Sequence, residues 1–150
     1  MAVVDLQAVV AQPPDAVYRA LCDLARRPEL DPTIVTVENA APDGAPHEGT
    51  TFRGAGMLPG TEERFDGLVT GLEPNRFAAF GYNYANGASL HEQWRLSPTP
   101  SGTLIKYHAE LRLPSGVLGR LLDVLMVGPG FKRQREAMLA QAKAALDAEA

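Results

Sequence analysis

The chain has a single cysteine, Cys22, in 150 residues. That excludes an internal disulfide framework and any multi-cysteine metal site. Long apolar runs are missing too: none approaches the ~20 residues a membrane-spanning helix needs. Basic charge is not in excess, with 14 Lys and Arg against 18 Asp and Glu and a net charge of −4. Non-specific nucleic-acid binding calls for the opposite balance, so no nucleic-acid partner is expected. Met1 to Asp5 has no basic stretch leading into an apolar one, so no signal peptide is expected and a cytoplasmic location is. The catalytic signatures are absent as well. There is no G-x-S-x-G, no P-loop, no H-E-x-x-H and no G-x-G-x-x-G, and nothing implies a metal or a cofactor. His47, His91 and His108 are isolated from one another in sequence.

What is present is an ordinary globular composition, 45% hydrophobic and 21% charged. One domain covering residues 1–150 is expected, since ~100–200 residues make one domain. Val4, Leu6, Ala8 and Val10 share one parity with Asp5 and Gln7 on the other, which predicts a half-buried strand. Pro13-Pro14-Asp15 predicts a helix start, because proline and an acidic residue both suit a first turn. Val17, Ala20, Leu21 and Leu24 then form one apolar face. Pro28 and Pro32 limit any second helix to a turn or two. Cys22, beside the apolar face, reads as a small core or boundary residue.

Residues 33–113 read as strands joined by short turns. The runs are Thr33 to Glu38, Thr50 to Met57, Arg64 to Leu72, Arg76 to Tyr84, Leu90 to Leu96 and Leu104 to Leu113. Short turns imply antiparallel neighbours, because parallel ones need long crossovers. In the last strand Ile105, Tyr107, Ala109, Leu111 and Leu113 face one way, and Lys106, His108, Glu110 and Arg112 the other. From 115 to 147 the spacing predicts a helical segment bent at Gly128-Pro129-Gly130. Its apolar stripe runs through Leu118, Leu121, Leu122, Leu125, Phe131, Met138, Leu139, Ala142 and Leu146. The fold class is therefore α+β: a curved antiparallel sheet of six to seven strands, a short helical insertion after the first strand, and a long C-terminal helix.

The candidate site follows from parity. Leu90, Glu92, Trp94 and Leu96 share a face, and His91, Gln93 and Arg95 lie on the polar one. Glu92 is thereby placed among apolar side chains, where a bare carboxylate is costly. It is a ligand-orienting or acid/base group, a structural pair with Arg64 or Arg76 across the sheet, or a residue near the open rim. Tyr82, Tyr84 and Tyr107 combine an apolar ring with a polar tip, which suits a mostly apolar pocket or an ordinary core. Trp94, Leu125 and Met126 complete the candidate ligand-binding set. Lys132, Arg133 and Arg135 form a basic cluster on the last helix, either a solvated face or a contact for an anionic head-group.

Several fragments together carry a family resemblance. They are Pro14-x-x-Val17, Asp23 followed by Pro28-Glu29-Leu30-Asp31-Pro32, and Val69-x-x-Leu72-Glu73-Pro74-x-Arg76-Phe77. Trp94-x-Leu96-x-Pro98 ending in Gly102-Thr103 follows, then a terminal helix with Arg135, Met138-Leu139 and Lys143. In this order and spacing the chain resembles the START-like, or helix-grip, superfamily over essentially its whole length. That group includes polyketide cyclases/dehydratases, lipid-transfer domains and the major birch-pollen allergen. One departure is Leu30, where such proteins often carry tryptophan. The resemblance implies a small hydrophobic ligand, lipid-like or polyketide-like, held between sheet and terminal helix. It also leaves open an enzyme of the cyclase/dehydratase type, or a protein-interaction module.

Overall fold

The computed structural model describes residues 1–38, 45–114 and 127–150. The first strand, β1 (Ala2–Val10), is followed by α1 (Pro14–Cys22), a 3-10 turn at Leu24–Arg26, and the four-residue α2 (Arg27–Leu30). Six strands come next: β2 (Ile34–Glu38), β3 (Thr51–Leu58), β4 (Thr61–Glu73), β5 (Phe77–Tyr84), β6 (Ser89–Thr99) and β7 (Gly102–Arg112). The C-terminal helix, α3, spans Gly128–Ala148. The expected helical start at 115 falls on residues 115–126, which lie outside the described residues and include Leu125 and Met126; Gly128-Pro129-Gly130, where a bend is expected, form the first turn of α3, and the segment on the other side of that bend is not described.

The strands form one antiparallel sheet in the order β1-β7-β6-β5-β4-β3-β2. β1 closes beside β7, with Ala2 opposite Leu111 and Val10 opposite Thr103. The parity expected for β1 and β7 holds: Val4, Val10, Ile105, Tyr107, Ala109 and Leu111 are buried. β5 is buried on both faces from Ala78 to Tyr82, and β4 is bulged opposite it between Val69 and Gly71. A bulge adds local twist and bends the strand, which helps a sheet curve around a helix.

Curvature also needs small residues where large ones cross the concave face. Phe52 lies opposite Gly67, and Gly54 opposite Phe65. A Cβ on Gly67 would sit 2.5 Å from the Phe52 ring. The glycines leave the two rings space to meet edge to face, 6.0 Å between centroids.

The inner face of the sheet is covered by α1 and α3. α1 buries Val17, Ala20 and Leu21. α3 buries Phe131, Arg135, Met138, Leu139, Ala142 and Leu146. Its C-terminal end is tied to the β1–α1 junction. The Ala11 amide donates to Asp147 Oδ1 at 2.8 Å, and Lys143 Nζ donates to the Val9 carbonyl at 2.7 Å.

Candidate functional site

The alternation of β5, β6 and β7 brings Tyr82, Glu92, Trp94 and Tyr107 onto the same inner face. Trp94 lies directly opposite Tyr107 across the β6–β7 pair, and Phe80 opposite Glu92 across β5–β6. The Trp94 and Tyr107 rings meet edge to face at 4.7 Å. Tyr82 is surrounded by Phe52, Phe65 and Tyr84, at centroid distances of 5.8, 5.1 and 6.5 Å. Four of the expected site residues, Tyr82, Glu92, Trp94 and Tyr107, are therefore adjacent and buried. Tyr84 is one ring further out.

Glu92 is 1% exposed and fully engaged. Its Oε1 accepts from Tyr82 Oη at 3.0 Å and from Arg27 Nη2, with which it forms an ion pair. Its Oε2 accepts from Tyr107 Oη at 2.7 Å and stands 3.9 Å from Arg135 Nη1. Arg135 also donates from Nη1 to Asp31 Oδ2 at 3.1 Å and to Tyr107 Oη at 3.3 Å. Its Nη2 donates to Thr33 Oγ1 at 2.6 Å. Asp31 Oδ1 accepts from the Thr33 amide and hydroxyl. The result is a chain of alternating charge, Arg27–Glu92–Arg135–Asp31, which links α2, the sheet and α3.

Two expectations are corrected here. The partners of Glu92 are Arg27 and Arg135, not Arg64 or Arg76. Arg64 lies next to the inward-facing Phe65 in β4, so it points outward, where it stands 3.7 Å from Glu38. Arg76 sits exposed in the turn before β5. Arg135 does not belong to an exposed cluster with Lys132 and Arg133. Those two are exposed, while Arg135 is 2% exposed, one turn from both Phe131 and Leu139 on the buried stripe.

The electrostatics follow from burial and pairing. Burial pulls the Arg27 pKa down, but Tyr82, whose oxygen accepts from Arg27, and the carboxylates Glu92 and Asp31 outweigh it and hold it above the ordinary value. Arg135 is likewise held up, against desolvation, by Asp31, Tyr107 and Glu92. Burial and then the nearby Glu92 push Tyr107 well above its usual range. Burial, opposed by Arg27 and reinforced by Glu92, does the same for Tyr82. Both phenols are therefore neutral donors and not bases at physiological pH.

Five buried side-chain polar atoms of the described residues have no hydrogen-bond partner, and four lie on three site residues: Arg27 Nε and Nη1, Arg135 Nε and Trp94 Nε1. The Arg27 guanidinium is stacked 4.5 Å from the Phe80 ring centroid and 5.7 Å from that of Trp94. Aromatic faces offset part of the cost of those spare donors.

Arg27 and Asp31 are the members of this candidate site that sequence reasoning missed. Their sequence signals were an i, i+4 charge pair in a proline-bounded segment and, for Asp31, a place in the fragment Pro28-Glu29-Leu30-Asp31-Pro32 that carries the family resemblance. The outer face of the sheet carries a shallow groove of about 600 Å³ between β1, β6 and β7, whose lining includes Asp5, Gln7, Gln93, Arg95, Lys106 and His108. There His108 Nδ1 lies 2.7 Å from Asp5 Oδ1. Among the described residues no group of three or more His, Cys, Asp or Glu could hold a metal ion. Nor is any helix among them long and apolar enough to cross a membrane.

The comparisons with known proteins agree with this architecture. A family model described as "Polyketide cyclase / dehydrase and lipid transport" matches residues 1–147. No curated protein matches the chain. Protein CV1439 from Chromobacterium violaceum is similar in structure with TM-score 0.73 at 16% identity, over 98% of this chain and 99% of that one. A START superfamily protein from Mycobacterium smegmatis gives 0.69 at 19% identity, over 99% and 97%. Ara h 8.0201 gives 0.66 at 12% identity, over 96% of each. At such identities the likeness is one of fold.

Proposed function

Since the chain belongs to the polyketide cyclase/dehydrase and lipid transport family, we propose that it binds a small hydrophobic molecule between the sheet and the C-terminal helix. One observation carries this reading: an aromatic inner face surrounds buried donors, on Arg27, Arg135 and Trp94, that have no partner. A core built only for stability gains little from buried ion pairs. Replacing them with well-packed apolar residues is often neutral or stabilising. Ligand pockets combine apolar walls with a few placed polar groups. The rings of Phe80, Trp94, Tyr82 and Tyr107 would supply the walls and most of the affinity through burial. Leu125 and Met126 remain proposed lining residues on sequence grounds.

Binding is preferred to turnover because the described residues of the site include no free base. Glu92 is already held by two tyrosine hydroxyls and an arginine. The tyrosines stay protonated. The apolar stripe of α3 is turned inward, so it offers no docking face for a protein partner.

The test is titration with Nile red, an uncharged dye that brightens in apolar surroundings. Saturable one-to-one enhancement, reversed by diphenylmethane, is expected. Enhancement that never saturates, or that diphenylmethane does not reverse, would refute the reading.

A further inference from the structure

The interior charges among the described residues cancel. Arg27 and Arg135 contribute two positive charges, and Glu92 and Asp31 two negative ones. All four side chains are buried, at 0, 2, 1 and 2% exposure in that order. Each cation is adjacent to a carboxylate, at 3.1 Å for Arg135 and Asp31 and in direct contact for Arg27 and Glu92. Yet the cations keep spare N–H groups. The site thus offers hydrogen-bond donors with no uncompensated positive charge behind them.

A carboxylate brought to those donors would be a fifth buried charge with no counter-charge. An uncharged oxygen acceptor would satisfy a donor without that cost. Resting on the binding reading above, we infer that Glu92 is a specificity-determining residue: it neutralises Arg27 and so makes the site favour uncharged molecules, those bearing a carbonyl-type oxygen above all, over anionic amphiphiles such as fatty acids. Glu92 makes this selection through charge, from behind the arginine, and need not touch the ligand. Removing its charge while keeping its shape would leave one positive charge unmatched and weaken the preference.

Three probes of similar size separate the possibilities by displacement of Nile red at neutral pH: diphenylmethane, benzophenone and diphenylacetate. With the unaltered protein, benzophenone should compete about tenfold better than diphenylmethane, the worth of one buried hydrogen bond. It should compete roughly 100-fold better than diphenylacetate, the cost of an unpaired buried charge. In Glu92→Gln the diphenylacetate deficit should shrink by about tenfold or more. Diphenylacetate competing as well as benzophenone with the unaltered protein would overturn the inference. So would a folded Glu92→Gln protein with an unchanged ratio. Should Glu92→Gln fail to fold, Asp31→Asn removes the other negative charge and is read in the same way. If diphenylmethane itself fails to displace the dye, the binding reading falls and takes this inference with it. If diphenylmethane competes but charge makes no difference, the inference falls alone.

Discussion

Arg27 and Asp31 lie one helical turn apart at the α2 segment, yet each pairs with a different element. Arg27 reaches Glu92 on β6, and Asp31 holds Arg135 on α3 at 3.1 Å. The short insertion after β1 is therefore the piece that couples sheet to helix inside the fold. Four buried charges in one cluster make each of them hard to remove singly.

Glu92→Gln should destabilise the protein by about 3 kcal/mol, because Arg27 is then left buried without its counter-charge. Urea denaturation checks this through the midpoint, with an unchanged slope. A loss below about 0.5 kcal/mol would mean that the ion pair is not sealed from water.

Gly67→Ala should cost about 2 kcal/mol, since the new methyl group meets the Phe52 ring at 2.5 Å inside a packed face. Phe52→Leu in the same chain should recover part of that loss. A double-mutant cycle in urea measures the coupling. Strict additivity would show that the glycine is not there for the ring.

Stability should decline slightly as pH rises above 6.5. His108 has its pKa raised above 6.5 by its hydrogen bond to Asp5, against a smaller desolvation effect, with help from Glu110. A raised folded value means its contribution is full below 6.5 and is lost as pH climbs through the folded value. The pair is solvent-accessible, so the effect should stay below about 1 kcal/mol. His108→Gln should flatten the urea midpoint between mildly acidic and mildly alkaline buffers, and an undiminished slope would contradict the assignment.

Cys22 should react slowly with a thiol reagent in the folded state. Burial raises its thiol pKa, outweighing the hydrogen bond from Tyr18 and the field of Arg27. A rate matching the unfolded chain at the same pH would show that the thiol is open.

Much of this arrangement was legible in the sequence. Alternation in β6 and β7 placed Glu92, Trp94 and Tyr107 on the covered face, because one face of an antiparallel sheet is packed and the other wet. It also required Glu92 to have a partner, but not which one. Strand parity speaks only for residues in strands, and Arg27 sits in a four-residue helix with no period to read. Arg135 was visible in principle. It falls on the stripe of Phe131, Met138, Leu139 and Ala142, and its charge drew it instead into a group with its exposed neighbours Lys132 and Arg133. A cation on an apolar stripe is the signal for a buried pair.

Trp94 is the chain's single tryptophan, so its indole N–H gives one unambiguous resonance in a nitrogen-15 correlation spectrum. That N–H is buried and unpartnered beside Arg27. Titration with benzophenone should move the resonance along a saturable one-to-one curve, with the Tyr82 and Tyr107 amides shifting in step. A resonance that stays fixed up to the solubility limit, while only outer-face amides respond, would contradict an interior binding site.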